Sequence, residues 1–270
     1  MSETSTYIQR LEESNPLREP TLRTAIEFLH LPSGSRGLDV GCGIGLQAVL
    51  LAEAVGPAGY VMGLDRDTAL LRYADELLQR AGLAERISFR TGDMRNLPFD
   101  DNSFDWVWSA DCVGYPVGDL LPVLKEFARV VRPGGSVAIL AWSAQQLLPG
   151  YLLLEARLNA TCSGLAPFVE GSRPQSHFLR ALGWFREAGL EEPTAHTIVG
   201  DVQAPLSRGV WRALTSLFAM LWGMPQPDVA PADWSEYQRL CQPASSDFIL
   251  NLPDYYAFFT YSIFRGQVPG

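Results

Sequence analysis

The chain of 270 residues has no run of lysine or arginine, and its 21 basic residues are outnumbered by 30 acidic ones, giving a formal net charge of -9. A field of that sign repels phosphate backbones and argues against nucleic acid as a partner. No stretch reaches the roughly 18 consecutive apolar residues of a membrane span; the nearest, residues 214–224, is too short. Residues 1–10 are polar and lack the apolar core of a secretory signal, so the cytoplasm is the expected compartment. The four cysteines, at 42, 112, 162 and 241, form no C-x-x-C pair and no metal-type spacing with histidine. They read as reduced, mostly buried thiols, with no metal site. His30, His177 and His196 stand apart from one another and read as packing or surface residues. No internal repeat or low-complexity tract is visible, and nothing marks an oligomeric state.

What is present is an ordinary globular composition, 47% hydrophobic and 19% charged, in a chain long enough for one large α/β domain with an insertion. Residues 1–15 read as a polar, mobile arm, and residues 16–31 as an amphipathic helix, so that residues 1–31 form an N-terminal cap. Apolar strands are expected at 38–41, 60–65, 87–91, 104–109 and 136–142, with helices at 46–55, 68–81 and 120–131 between them. Gly82 closes the second of these helices, and Arg132-Pro133-Gly134-Gly135 makes a tight turn before the fifth strand. Such alternation specifies βαβ units with right-handed crossovers and a parallel sheet buried on both faces. After Trp142 the rhythm changes. Helices are expected at 151–162, 176–188, 208–223 and 234–241, and strands at 194–202 and 255–264. The expected architecture is a single α/β domain over residues 1–270. It has a Rossmann-like doubly wound sheet of about seven strands, mostly parallel with an antiparallel last strand. Residues 208–253 form a helical, lid-like insertion whose Trp211, Phe218, Met220, Trp222, Met224 and Trp234 make an aromatic and methionine stripe suited to covering an apolar acceptor.

The chain is organised around Leu38-Asp39-Val40-Gly41-Cys42-Gly43-Ile44-Gly45, a strand that runs into a glycine turn and then a helix. Glycine lets a ligand approach the backbone, and the helix N-terminus offers free N–H groups. Gly43-x-Gly45-x-x-Ala48 meets the loose dinucleotide fingerprint, and Asp65 lies about 20 residues on, where a ribose-binding acid is wanted. By themselves the turn and acid suit a nicotinamide or flavin enzyme as well as another nucleoside-binding protein. Asp39 lies two residues before the first glycine, where a carboxylate faces a cationic or amino-bearing ligand rather than a pyrophosphate. Gly92-Asp93-Met94 ends the third strand with an acid able to accept from an exocyclic amine. The run from Leu97 to Asp105 then leads into the fourth strand.

LDVGCGIG at 38–45, GLDRD at 63–67, GDMRNLPFDDNSFDWV at 92–107 and LKEFARVVRPGGSVAIL at 124–140 together resemble the class I S-adenosylmethionine-dependent methyltransferases, nearest the ubiquinone and menaquinone biosynthesis subgroup. The resemblance covers roughly residues 36–142. It implies S-adenosylmethionine as cofactor and methyl transfer to a small-molecule acceptor, apolar or aromatic. Gly41, Cys42, Gly43 and Gly45 would meet the methionine part, and Asp39 its amino group. Asp65 would accept from both ribose hydroxyls, and Arg66 would flank the adenine. Gly92 and Met94 would meet the ring, and Asp93 its amino group. Ser109 and Ala110 would lie beside the reactive methyl. No N-P-P-Y-type motif follows the fourth strand, which disfavours base methylation. A sulfonium methyl needs alignment more than activation, so no catalytic residue is marked; Asp111, Cys112 and Tyr115 are the candidates near it. Quinone-type members often carry a histidine here, and Cys112-Val113-Gly114-Tyr115 departs from that. The rival readings are a nicotinamide-dependent oxidoreductase and a non-catalytic cofactor-binding protein of the same fold.

Overall fold

A computed structural model of the chain describes residues 3–112, 120–161, 177–223 and 229–270. The strands are β1 (Arg36–Val40), β2 (Tyr60–Asp65), β3 (Ile87–Thr91), β4 (Phe104–Ala110), β5 (Val131–Gln146), β6 (Glu191–Gln203) and β7 (Tyr256–Gln267). They form one sheet in the order β3-β2-β1-β4-β5-β7-β6. The pairs β2–β3, β1–β2, β1–β4 and β4–β5 are parallel, and the last strands run antiparallel. The first strand therefore lies inside the sheet with the order reversing beside it, the arrangement that opens a crevice at the strands' carboxyl ends. The expected Rossmann-like sheet is the one observed.

The helices are α1 (Glu3–Phe28), α2 (Leu46–Val55), α3 (Thr68–Ala81), α4 (Leu121–Val130), α5 (Leu152–Thr161), α6 (Ala181–Glu187), α7 (Arg208–Trp222) and α8 (Pro231–Cys241). Local chemistry sets their ends. Asp67 caps α3 by accepting from the Ala69 and Leu70 N–H groups, and Gly82 ends it in the left-handed conformation, φ 69°. Ser207 caps α7 through the Val210 N–H.

Several boundaries differ from the expectation. The N-terminal arm is helical from Glu3, because its polar residues pair along the helix: Gln9 with Glu13 and Asn15 with Glu19, each at 2.8 Å, while Ser216 of α7 donates to Glu13 at 2.6 Å. The Arg132–Gly135 turn is a bulge within β5. Phe104 pairs with Val131 and Trp106 with Ser136, so four residues bulge opposite Asp105 alone. The helix expected at 176–188 is a 3-10 turn at Phe178–Arg180 followed by α6. The end of the helix expected at 151–162, the start of that at 176–188, Tyr115, Cys162 and Met224 lie outside the described residues.

The chain divides into two compact units. The larger comprises Leu22–Trp142, Arg173–Ile198 and Tyr261–Gly270. Its core is built on Leu38, Val40, Leu64, Phe104, Val107, Phe127, Ile139 and Phe185. The smaller comprises Met1–Thr21, Ser143–Ser172 and Val199–Thr260. Within it α7 turns part of the stripe read from residues 208–223 inward. Leu214, Phe218 and Trp222 are buried, Trp222 donates to Asn159 at 3.0 Å, and Met220 is exposed. In the same unit Glu155 is wholly buried on α5 and accepts from the backbone N–H groups of Leu147 and Leu148 at 2.8–2.9 Å. Those bonds satisfy a carboxyl that burial pushes up from its ordinary pKa. No described helix is long and apolar enough to cross a membrane.

Candidate functional site

The carboxyl end of β1 carries the site. Asp39 pairs in register with Gly63 of β2 and Trp108 of β4, so it is enclosed by both neighbouring strands. Beyond Val40 the backbone turns through Gly41, φ 76°, and Gly45, φ 77°, both in the left-handed region that glycine occupies without strain. The Gly41 and Cys42 N–H groups donate to the Leu64 carbonyl at 2.7 and 3.1 Å, which ties the turn to the end of β2. A Cβ on Gly45 would lie 2.6 Å from the Phe89 ring, so this glycine is required by space as well as by conformation.

Asp65 ends β2 half-buried. Its Oδ2 accepts from the Gly43 N–H at 2.9 Å and its Oδ1 from the Asp67 N–H at 3.0 Å. It thus fixes the glycine turn, a role the sequence did not reveal. A carboxylate has about four lone-pair sites, so two remain that could accept from a ribose diol. Arg66 beside it is exposed. Gly92 donates to the Asp65 carbonyl at 3.1 Å, bringing the end of β3 alongside. There Asp93 is exposed, with Oδ1 accepting from the Arg95 N–H at 2.8 Å, and Met94 packs against the larger unit's core. Ser109, buried in β4, donates to the Val40 carbonyl at 2.8 Å, and Ala110 follows it, also buried. The structure therefore brings the ends of β1, β2, β3 and β4 together with all twelve residues singled out in the sequence.

The electrostatics single out Asp39. It is 2% exposed, and its Oδ2 is buried with no hydrogen-bond partner among the described residues. Burial first, and the nearby Asp65 charge second, push its carboxyl up to about 8. A buried polar atom without a partner is rare in a folded protein and points to one supplied from elsewhere. The complement is a cationic N–H donor, which would restore the carboxylate. A pyrophosphate would bring like charge to the same place. The donor set therefore fits the amino end of S-adenosylmethionine and fits a dinucleotide poorly.

Cys42 and Cys112 flank the turn. A Cβ on Gly41 would collide with the Cys112 Sγ, so this thiol lies directly over the Gly41 backbone. Burial first, then the charges of Asp65 and Asp39, push the Cys112 thiol up to about 12, and the Cys42 thiol is pushed up from the same principal cause. Both are packing groups at neutral pH rather than nucleophiles. Asp111 follows β4 in the left-handed region, φ 50°. Its N–H donates to the Leu140 carbonyl at 2.8 Å, and its carboxylate accepts from the Trp142 N–H and the Tyr261 hydroxyl, each at 3.0 Å. The sequence placed Asp111 and Cys112 in this region without their partners, because Tyr261 and Gly41 are far from them along the chain. Among the described residues no group of three His, Cys, Asp or Glu could hold a metal ion.

Comparison with known proteins bears on the fold and the family. A family model described as a methyltransferase domain matches residues 38–135. Demethylmenaquinone methyltransferase of Bacillus subtilis is 31% identical over 204 residues, covering 69% of this chain and 82% of that protein. A solved S-adenosylmethionine-dependent methyltransferase from Aquifex aeolicus superposes with a TM-score of 0.56 at 16% identity, covering 99% of this chain and 100% of that one. A phosphoethanolamine N-methyltransferase from Haemonchus contortus, solved with S-adenosylmethionine, gives a TM-score of 0.53 at 18% identity, covering 92% of this chain and 52% of that one. The chain belongs to the class I S-adenosylmethionine-dependent methyltransferases, and methyl transfer from that cofactor is its reaction.

Proposed function

We propose that the acceptor is a small apolar molecule with an aromatic ring, and that three carboxylates grip the cofactor at its polar points. Asp39 holds the amino group, Asp65 the ribose hydroxyls and Asp93 the adenine amino group. Gly41, Cys42, Gly43 and Gly45 line the methionine part, Arg66, Gly92 and Met94 flank the purine, and Ser109 and Ala110 border the reacting end. The observation that carries this reading is the buried, unpartnered Oδ2 of Asp39, which asks for a cation and lies at the strand end where the glycine turn begins.

S-adenosylmethionine supplies a methyl group on a positively charged sulfur, an electrophile that needs no further activation. The chain's own part is to hold both molecules in line and to keep water out. An acceptor that must also lose a proton needs a base, and Asp111 is the candidate, its carboxylate already fixed by Trp142 and Tyr261. The aromatic acceptor is supported by the Bacillus subtilis relative, a demethylmenaquinone methyltransferase. The net charge of -9 supports a reaction away from nucleic acid. Methyl-labelled S-adenosylmethionine incubated with the protein and a reduced demethylmenaquinone of short side chain tests the acceptor. Label in the extracted quinol is expected. Label absent there but present on an added polar amine would overturn the aromatic assignment.

A further inference from the structure

We infer that Arg129 and Glu126 of α4 are positioning residues for the adenine end of the site, acting through the backbone that follows Met94. Arg129 makes five hydrogen bonds, one for each of its donors. Nε donates to Glu126 Oε1 at 2.8 Å, Nη1 to the Phe99 carbonyl at 2.9 Å and to Asp101 Oδ1 at 2.8 Å, and Nη2 to the Leu97 carbonyl at 3.1 Å and to Glu126 Oε2 at 2.8 Å. Glu126 Oε2 also accepts from the Leu97 N–H at 2.9 Å. Both backbone groups of Leu97 are thus held from α4, and the segment 97–101 is gripped at three places.

This segment lies between β3 and β4 and has no strand partner among the described residues. Immediately before it, residues 93–96 form a closed turn: the Asn96 N–H donates to the Asp93 carbonyl at 3.1 Å, and Asp93 and Asn96 make an isolated bridge. Asp93 itself is exposed. Its position therefore depends on the turn, and the turn on its anchored end at Leu97. An exposed ion pair between two side chains contributes little. Here the guanidinium is spent mainly on loop carbonyls and on the carboxylate that holds a loop N–H, an arrangement that orders backbone. Lysine, a point charge without the planar fork, cannot reproduce it.

The inference rests on the reading that Asp93 accepts from the adenine amino group, so the test separates the two. Titration calorimetry measures the affinity of wild type, R129A, R129K, E126Q and D93N for S-adenosylhomocysteine and for S-inosylhomocysteine, whose ring carries an oxo group in place of the amine. Wild type should prefer the adenine ligand. R129A should lose about tenfold or more in affinity for it, the equivalent of one hydrogen bond, and its preference should shrink towards unity. R129K should behave as R129A does, and E126Q, which retains an acceptor for Leu97, should lie between. Equal loss for both ligands, or a lowered melting temperature with the preference intact, would overturn the inference. If R129A fails to fold, R129K and E126Q decide the question by the same comparison. A wild-type preference that D93N leaves unchanged would instead sink the reading of Asp93, while shrinkage in R129K would still support the clamp.

Discussion

Replacing Asp39 with asparagine should cost about 2–5 kcal/mol of cofactor affinity, on the order of 30-fold or more, as expected when one partner of a buried, hydrogen-bonded charge pair is lost. Folding should respond in the opposite sense. Asp39 is buried, and its carboxyl is pushed up to about 8. From its ordinary value near 4 up to about 8, the folded chain holds a proton that the unfolded chain has released. Stability therefore falls as pH rises through that window, because the unfolded chain gains by ionising this carboxyl while burial keeps it neutral in the folded chain. D39N removes that penalty. Without ligand it should melt no lower than the parent at pH 6 and higher than the parent above pH 8, while calorimetry shows binding nearly lost. A variant that binds S-adenosylhomocysteine as the parent does would remove Asp39 from the site.

The second large effect lies at the same strand but concerns folding. Gly37 pairs in register with Trp106, whose indole donates to Ser35 Oγ at 2.9 Å. A Cβ at this glycine would lie 2.0 Å from the indole ring, far inside contact distance. Both residues are buried, so the ring has nowhere to go. Gly37→Ala should cost about 3 kcal/mol or more, the upper part of the range for overpacked cores. In a unit of this size that lowers the melting temperature by about 6 °C or more. Combining it with Trp106→Leu should cost less than the sum of the two single changes, since the clash is then gone. Strictly additive costs, or a neutral Gly37→Ala, would show that the strand pair is not packed as described.

The sequence was most informative where chemistry is local. The turn from Gly41 to Gly45, the acid ending β2, the Gly82 end of α3 and the buried strands all follow from neighbouring residues, and the order of the motifs along the chain carried the family resemblance. Long-range relations were hidden. Nothing near Arg129 announces that its partners are the carbonyls of Leu97 and Phe99, although an arginine three residues after a glutamate on a largely apolar helix could have prompted the question. Cys112 lies over Gly41 because β4 pairs beside β1, a fact of sheet order rather than of spacing. The helical N-terminus was obscured by its polarity, since its side chains pair with one another rather than forming an apolar stripe. The bulge in β5 looks like a turn in sequence because glycine and proline serve both. Glu155 sits among leucines, and only the structure shows that two backbone N–H groups hold it.

The unpartnered carboxylate of Asp39 also makes cofactor binding measurable in protons. At pH 6.5 the free site holds its proton, whereas the bound site would hold a carboxylate against the ligand's ammonium. The decisive measurement is titration calorimetry with S-adenosylhomocysteine at pH 6.5 in two buffers of different ionisation enthalpy, with NADH titrated in parallel. Binding of S-adenosylhomocysteine with release of about one proton, and no heat from NADH, is the expected result. Binding of S-adenosylhomocysteine with no proton released, or binding of NADH in its place, would contradict the role given to Asp39.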